Sequence, residues 1–293
     1  MRYNKKDIFW KREMTMADYI KQEDYSEPRC LLCETDPQSQ EAAITRIPTG
    51  RVIDKLDDYL GKNDYAAAER HLRHWAQEAK EGGDTRGLYT VYNELMGLCR
   101  KLGKEREAMD FAERTVQLVH ELGMDNNITG ATAFLNAGTV YKAFGKAAEG
   151  FHYFEQAKAI YEAQLNPDDN RLAGLYNNMA LSLVDLGRYD EAEALYQKAF
   201  AIMEADDDGM ADAAITLLNL ANLVEARDGL LDGNERILSL LDRALSLLRD
   251  PKLKHDGYYA FVCEKCAPTF GYYGYFADKQ ELEETARRIY EGT

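Results

Sequence analysis

Apolar residues recur along most of the chain with the spacing of one face of an α-helix, and polar residues fill the positions between them. A typical pair of apolar segments flanks Gly187: Leu175, Met179, Leu183 and Leu186 come before it, and Ala192, Leu195, Tyr196 and Ala199 follow. This spacing predicts a helix, a tight turn and a second helix. Glycine suits the end of the first helix, because it adopts a left-handed backbone without steric cost.

The same unit repeats at a fixed interval. Six glycines lie 42 residues apart, and the first four have similar neighbours; they are Gly61, Gly103, Gly145, Gly187, Gly229 and Gly271. A single helical hairpin cannot bury both of its faces, so the units are expected to stack into a solenoid. The pattern predicts an all-α protein of about six helical hairpins.

One segment identifies the kind of repeat. LYNNMALSLVDLGRYDEAEALYQKAF, residues 175–200, resembles a tetratricopeptide repeat, and TLLNLANL, residues 216–223, resembles the first helix of the next. The interval of 42 residues exceeds the basic repeat of about 34, so the chain is most similar to the lengthened repeats of kinesin light chains. The resemblance implies a right-handed superhelical solenoid over residues 48–293, weaker in the first and fifth repeats, with an irregular extension at residues 1–47.

The last repeat, residues 257–293, is rich in aromatic residues. Eight of them fall within nineteen residues: Tyr258, Tyr259, Phe261, Phe270, Tyr272, Tyr273, Tyr275 and Phe276. Pro268 is expected to interrupt any helix there. Two interpretations remain open. The aromatic residues could close the end of the core as a cap, since terminal repeats are atypical, or they could form a surface for a partner.

Charge and composition exclude several classes of protein. The chain carries 36 Lys and Arg against 51 Asp and Glu, a net charge of −15, which argues against binding nucleic acid or an anionic membrane. No apolar run reaches the roughly 18 residues of a membrane span. The N-terminal residues lack the apolar stretch of a secretory signal, so we expect a cytoplasmic protein.

Asparagines recur on the first helices of the repeats, which line the concave face in the family. The candidate peptide-binding residues are Asn136, Asn178 and Asn219, which match the family's position, together with Asn177, Asn222, Asn93, Arg100 and Lys142. A row of amides could hold the backbone of an extended peptide; alternatively, these asparagines join helices by hydrogen bonds. The neighbouring charges are mixed, with Asp185 and Glu225 also expected near the groove, which favours an internal segment with basic and apolar residues as the partner.

Two Cys-x-x-Cys pairs and one pair of histidines are candidates for metal binding. They are Cys30 and Cys33, Cys263 and Cys266, and His71 and His74. Four thiolates, or two thiolates and two imidazoles, could form a closed zinc site. The alternative is that the cysteines pack in the core and the histidines lie on a solvated helix face.

Nothing in the sequence indicates catalysis or a cofactor. It contains no phosphate-binding glycine loop and no nucleophile elbow, and its five histidines are scattered. We therefore expect a non-catalytic adaptor that binds a protein or peptide. Such an adaptor could also form a homo-oligomer. Two alternatives are a peptide-responsive regulatory protein with residues 1–47 as an internal plug, and a structural component held together by zinc.

Overall fold

The computed structural model describes residues 44–206 and 208–292, which form twelve α-helices and no strand. The helices are α1 Thr49–Leu60, α2 Tyr65–Glu81, α3 Thr85–Lys101, α4 Glu105–Glu121, α5 Ile128–Ala143, α6 Ala147–Gln164, α7 Asn170–Asp185, α8 Tyr189–Glu204, α9 Met210–Asp232, α10 Asn234–Leu248, α11 Gly257–Tyr272 and α12 Phe276–Glu291. The predicted all-α helical repeat fold is confirmed. The helices belong to two compact units, and the chain divides between them at Val140 and Tyr141, within α5.

The unit before Tyr141 contains the hairpins α1–α2 and α3–α4 and most of α5. Its core consists of fully buried apolar residues that the helical spacing brings to one side of each helix, including Leu56, Leu72 and Leu95. Asp84 joins three parts of this unit. It caps α3 by accepting from Gly87 N at 2.9 Å and also accepts from Ile47 N at 3.0 Å, which holds the residues preceding α1 against the turn between α2 and α3.

The unit from Tyr141 onward contains α6 and the hairpins α7–α8, α9–α10 and α11–α12. Large residues such as Phe154, Tyr161, Tyr196 and Phe270 are buried in it. Small residues at the helix crossings, Ala180 and Ala199 among others, are also fully buried. They let the helix backbones approach closely while the large residues fill the space between.

The glycines of the repeat occupy left-handed turns in the middle of the chain, but the first and the last of them do not. Gly103, Gly145 and Gly187 have positive φ angles of 69°, 73° and 72° and follow the first helices of their hairpins, as predicted. Gly61 is right-handed, and Asn63, with φ 56°, is the left-handed residue of that turn. Gly271 lies inside α11, where the prediction is wrong.

The structure corrects the expected break at Pro268. This residue lies inside α11, which continues to Tyr272. Proline lacks the N–H for one backbone hydrogen bond, but Cys263, Cys266, Ala267 and Phe270 on both sides of it are buried. Packing of this apolar side therefore holds the helix together despite the proline. The left-handed glycine after α11 is Gly274, with φ 87°.

The aromatic residues of the last hairpin divide between core and surface. Tyr259 and Phe270 are buried, whereas Tyr272 is 65% exposed and Phe276 is 71% exposed. Leu282 and Ala286 of α12 are buried, and most of the charged residues of that helix are exposed. The hairpin thus combines features of a cap with exposed aromatic side chains.

Some of the predicted features lie outside the residues that the structure describes. They are Cys30 and Cys33, together with residues 1–43 of the proposed plug. Within the described chain, no helix combines the length and the apolar character that crossing a membrane requires.

Candidate protein-binding surface

The first helices of three successive hairpins, α7, α9 and α11, are neighbours joined by side-chain hydrogen bonds. Asn177 on α7 donates its amide to Thr216 Oγ1 on α9 at 2.8 Å. Tyr258 on α11 donates its hydroxyl to Asp212 on α9. The exposed edges of α7, α9 and α11 therefore form one continuous surface, which we call the first-helix surface.

The first-helix surface combines amide and apolar side chains. Helical spacing of three or four residues places these residues on it: Gly174, Asn178, Leu181 and Asp185 from α7, Ile215, Asn219 and Asn222 from α9, and Tyr258 and Phe261 from α11. Leu181, Ile215 and Phe261 are half-buried. Such a surface can accept both the polar backbone and the apolar side chains of another chain.

Four of the six candidate asparagines join helices within the protein. In the unit before Tyr141, Asn136 on α5 donates to Asn93 Oδ1 on α3 at 3.1 Å, and Asn93 is buried. Asn177 bonds Thr216 as described above. The side-chain oxygen of Asn222 lies 3.1 Å from the hydroxyl oxygen of Tyr273 on α11. These contacts support the interpretation that the asparagines join helices within the protein.

The other two candidate asparagines have no bond to a neighbouring helix. Asn178 donates to the Gly174 carbonyl of its own helix at 2.9 Å. Asn219 is half-buried, and its side chain makes no hydrogen bond to another described residue. Both amides therefore retain donors and acceptors for a ligand.

The two basic candidates lie on different helices. Arg100 is half-buried in the last turn of α3. Lys142, near the end of α5, lies 3.8 Å from the Asp185 carboxylate, within ion-pair distance. Because Asp185 neutralises Lys142, this lysine adds little net positive charge for a partner to recognise.

Sequence analysis missed an arrangement at the carboxyl end of α9. The two oxygens of the half-buried Glu225 carboxylate each accept a hydrogen bond from a tyrosine hydroxyl of α11, from Tyr272 at 2.5 Å and from Tyr273 at 2.6 Å. The two tyrosine rings are nearly perpendicular, with centroids 4.9 Å apart. The two tyrosines lie 47 and 48 residues after Glu225, so the interval of 42 residues gave no signal for this contact.

The environment of the two tyrosines changes their acidity. Burial and the hydrogen bond to Glu225 raise the pKa of Tyr273. The hydrogen bond to Glu225, followed by that carboxylate's charge, raises the pKa of the exposed Tyr272. Both phenols therefore stay protonated and act as donors across the physiological pH range.

The described candidates for zinc binding occupy separate positions. Cys263 and Cys266 are buried side by side on α11, while His71 Nε2 donates a 2.9 Å hydrogen bond to the Val52 carbonyl. His74 is exposed and contacts Trp75. In the described part of the chain, these residues do not form a group of three or more potential ligands.

A different trio has ligand atoms within 4.8 Å of one another: Glu69, Cys99 and Glu107. Cations from the protein already occupy this position. Lys104 Nζ lies 2.7 Å from both Glu69 oxygens, and Arg73 bonds Glu69 and Glu107. Burial raises the pKa of Cys99 to about 11, which keeps its thiol protonated. The trio is therefore an ion-pair network rather than a metal site.

The fold and this surface define an all-α helical repeat protein whose hairpins present their first helices side by side. Residues 129–205 and 171–250 match the family model of the tetratricopeptide repeat. These residues thus form tetratricopeptide repeats, as the sequence predicted. Repeats of this class generally serve as non-catalytic scaffolds for protein–protein interaction.

Two solved structures show the same fold. A variant of the nearly identical TPR-like repeats of a kinesin light chain protein from Podosopora anserina is 18% identical, with a TM-score of 0.50, and the match covers 68% of this chain and 92% of that one. BtubC (BKLC) from P. vanneervenii is 18% identical, with a TM-score of 0.50, over 84% of this chain and 92% of that one. No curated protein matches the chain in sequence.

Proposed function

We propose that the protein is a non-catalytic cytoplasmic adaptor that binds a segment of another protein on the first-helix surface. The observation that carries the proposal is the combination on α7 and α9 of two amides without interhelical bonds, Asn178 and Asn219, with the half-buried Leu181 and Ile215. Amides can hold a peptide backbone whatever its sequence, and the apolar side chains can select partner residues.

The charge of this unit indicates which segment would bind. The residues from Tyr141 to the end carry 16 Lys and Arg against 27 Asp and Glu, a net charge of −11. Such a field speeds the encounter with a positively charged segment and repels an acidic one. The proposed partner segment is therefore basic and apolar rather than acidic.

The test is affinity capture from native cell extract on the immobilised full chain, with quantitative identification of what is retained. Replacing both Asn178 and Asn219 by alanine is expected to reduce retention of the specific partner about tenfold, because two amide hydrogen bonds to the partner are lost. The matched control is Asn234→Ala, which removes an exposed amide from α10, outside the first-helix surface.

Thermal unfolding of each variant separates binding from folding. We expect the double variant to melt as the unaltered chain does, since neither amide bonds another helix. If the double variant and the Asn234→Ala control retain the partner equally well, this surface is not the binding site. If the double variant instead unfolds at lower temperature, the two asparagines have a structural role and the proposal fails.

A further inference from the structure

The Glu225 carboxylate is oriented but not neutralised. Each of its oxygens accepts one tyrosine hydrogen bond, from Tyr272 and Tyr273. A carboxylate oxygen can accept about two hydrogen bonds, so each oxygen keeps one position for a further donor. Among the residues that the structure describes, no lysine, arginine or histidine pairs with Glu225.

The position of Glu225 near the end of a helix makes its unneutralised charge unfavourable. Within α9, Gly229 has non-helical angles, φ 80° and ψ 166°, and interrupts the helix. Glu225 therefore lies in the last turn before this break. A negative side chain there opposes the helix dipole, whereas a cation is favoured. The neighbouring α11 also ends here, at Tyr272. Two helix carboxyl ends and one carboxylate thus favour a positive charge at the same point.

We propose that Glu225, Tyr272 and Tyr273 form a binding site for an arginine side chain of the partner segment. The guanidinium has parallel N–H groups that match the two remaining positions on the carboxylate oxygens. Its plane can also stack on an aromatic ring, and the exposed ring of Tyr272 is available for this contact.

The chemistry of the site disfavours a metal ion. Calcium takes six to eight oxygen ligands, commonly several carboxylates, and magnesium requires octahedral geometry. Here there is a single carboxylate, and its closest neighbours are two protonated phenols that act as donors. An organic cation with its own N–H donors fits this set better. The inference rests on the proposed function, because the site lies at one end of the first-helix surface and would bind one arginine of the same partner segment.

A small probe tests the site without the unknown partner. The probe is Nα-acetyl-arginyl-leucine amide, compared with its citrulline analogue, which has the same length and no charge. Binding is followed on the full chain by NMR shifts of ¹³C-labelled tyrosine rings. We expect the arginine probe to shift the resonances of Tyr272 and Tyr273 and to bind about tenfold more tightly than the citrulline probe, because hydrogen bonds to charged groups are the stronger ones.

Two variants of equal charge provide the control. Glu225→Gln is expected to weaken arginine binding about tenfold. Glu264→Gln, on the exposed side of α11 near Tyr290, removes the same charge from the same unit and is expected to leave binding unchanged. Tyr272→Phe keeps the ring but removes its hydroxyl donor, so it is expected to retain part of the preference for arginine.

Each result has a definite meaning. Equal binding of the arginine and citrulline probes overturns the inference, as does an equal effect of Glu225→Gln and Glu264→Gln. If partner capture still depends on Asn178 and Asn219 in that case, the proposed function stands while the arginine site does not. If capture is also independent of those residues, both fail.

Discussion

The side-chain amide of Asn177 on α7 donates a hydrogen bond to the hydroxyl of Thr216 on α9. The amide nitrogen of Asn177 lies 2.8 Å from the threonine hydroxyl oxygen, and the amide oxygen lies 3.2 Å from it. Thr216 is fully buried. Losing a hydrogen bond costs more free energy at a buried hydroxyl than at an exposed one. The bond from Asn177 therefore stabilises the contact between two repeats.

We expect Asn177→Ala to lower the free energy of unfolding by about 1 kcal/mol, since Thr216 keeps its bond to the Asp212 carbonyl and loses only one partner. Urea denaturation followed by circular dichroism measures the change. Asn178→Ala, one residue further along, removes only a bond within its own helix and serves as the control. Equal destabilisation by both substitutions would contradict this assignment.

The adjacent residues Asn177 and Asn178 also show how far sequence analysis reaches. Helical spacing places both on the exposed side of a first helix, and that prediction needs only the period. Which of them bonds a neighbouring helix depends on the packing angle between repeats and on the side-chain rotamer. Neither quantity appears in a periodic pattern, so the choice between ligand binding and helix pairing stayed open.

The same limit applies to the two ends of the chain. Gly103, Gly145 and Gly187 occupy the predicted left-handed turns. Gly271 keeps the interval but lies inside α11, because the buried side of that helix continues past Pro268 to Phe270. Tertiary packing thus overrides the local preference of a proline. The Glu225 site was missed for a related reason, since its partners are 47 and 48 residues away.

Glu69 is expected to make stability depend on pH. Burial alone raises its pKa, but hydrogen bonds from Lys104 and Arg73 outweigh burial and hold the pKa below the ordinary value of 4.5. A lowered folded-state pKa means that Glu69 stabilises the fold above pH 4.5 and that this contribution is lost as the pH falls below that value.

We therefore expect Glu69→Gln to reduce the free energy of unfolding by about 1–2 kcal/mol at pH 7 and by progressively less below pH 4.5. Chemical denaturation at a series of pH values measures the difference from the unaltered chain. Glu78→Gln, on the exposed side of the same helix, is the control and should show a small difference at every pH. A constant difference for Glu69→Gln would exclude the proposed linkage.

The thiols of Cys99, Cys263 and Cys266 are expected to be unreactive in the folded protein. All three are buried, and burial raises the pKa of Cys99 and of Cys263 to about 11. Since the thiolate is the reactive form, labelling with a thiol-specific disulfide reagent at pH 8 should be slow for these three residues and rapid after denaturation. Mass spectrometry of the peptides measures the labelling of each cysteine separately. Rapid labelling of Cys263 in the native state would show that α11 opens readily.

Two helical glycines should respond in opposite ways to the same substitution. A methyl carbon added at Gly150, on α6, would lie 2.3 Å from Cβ of Tyr141, far inside contact distance. At Gly174, on α7, the added carbon would meet nothing within 4 Å. Alanine favours the helix by about 0.5–1 kcal/mol over glycine where space allows.

We therefore expect Gly174→Ala to raise the free energy of unfolding by up to about 1 kcal/mol and Gly150→Ala to lower it by about 1–3 kcal/mol, the usual cost of overpacking a core. Thermal and urea unfolding of the two variants, measured side by side, give the comparison. Helix propensity changes equally in both, so the difference between them isolates the close approach of α6 to Tyr141. If Gly150→Ala were as stable as Gly174→Ala, the two helices would not be in close contact at this crossing.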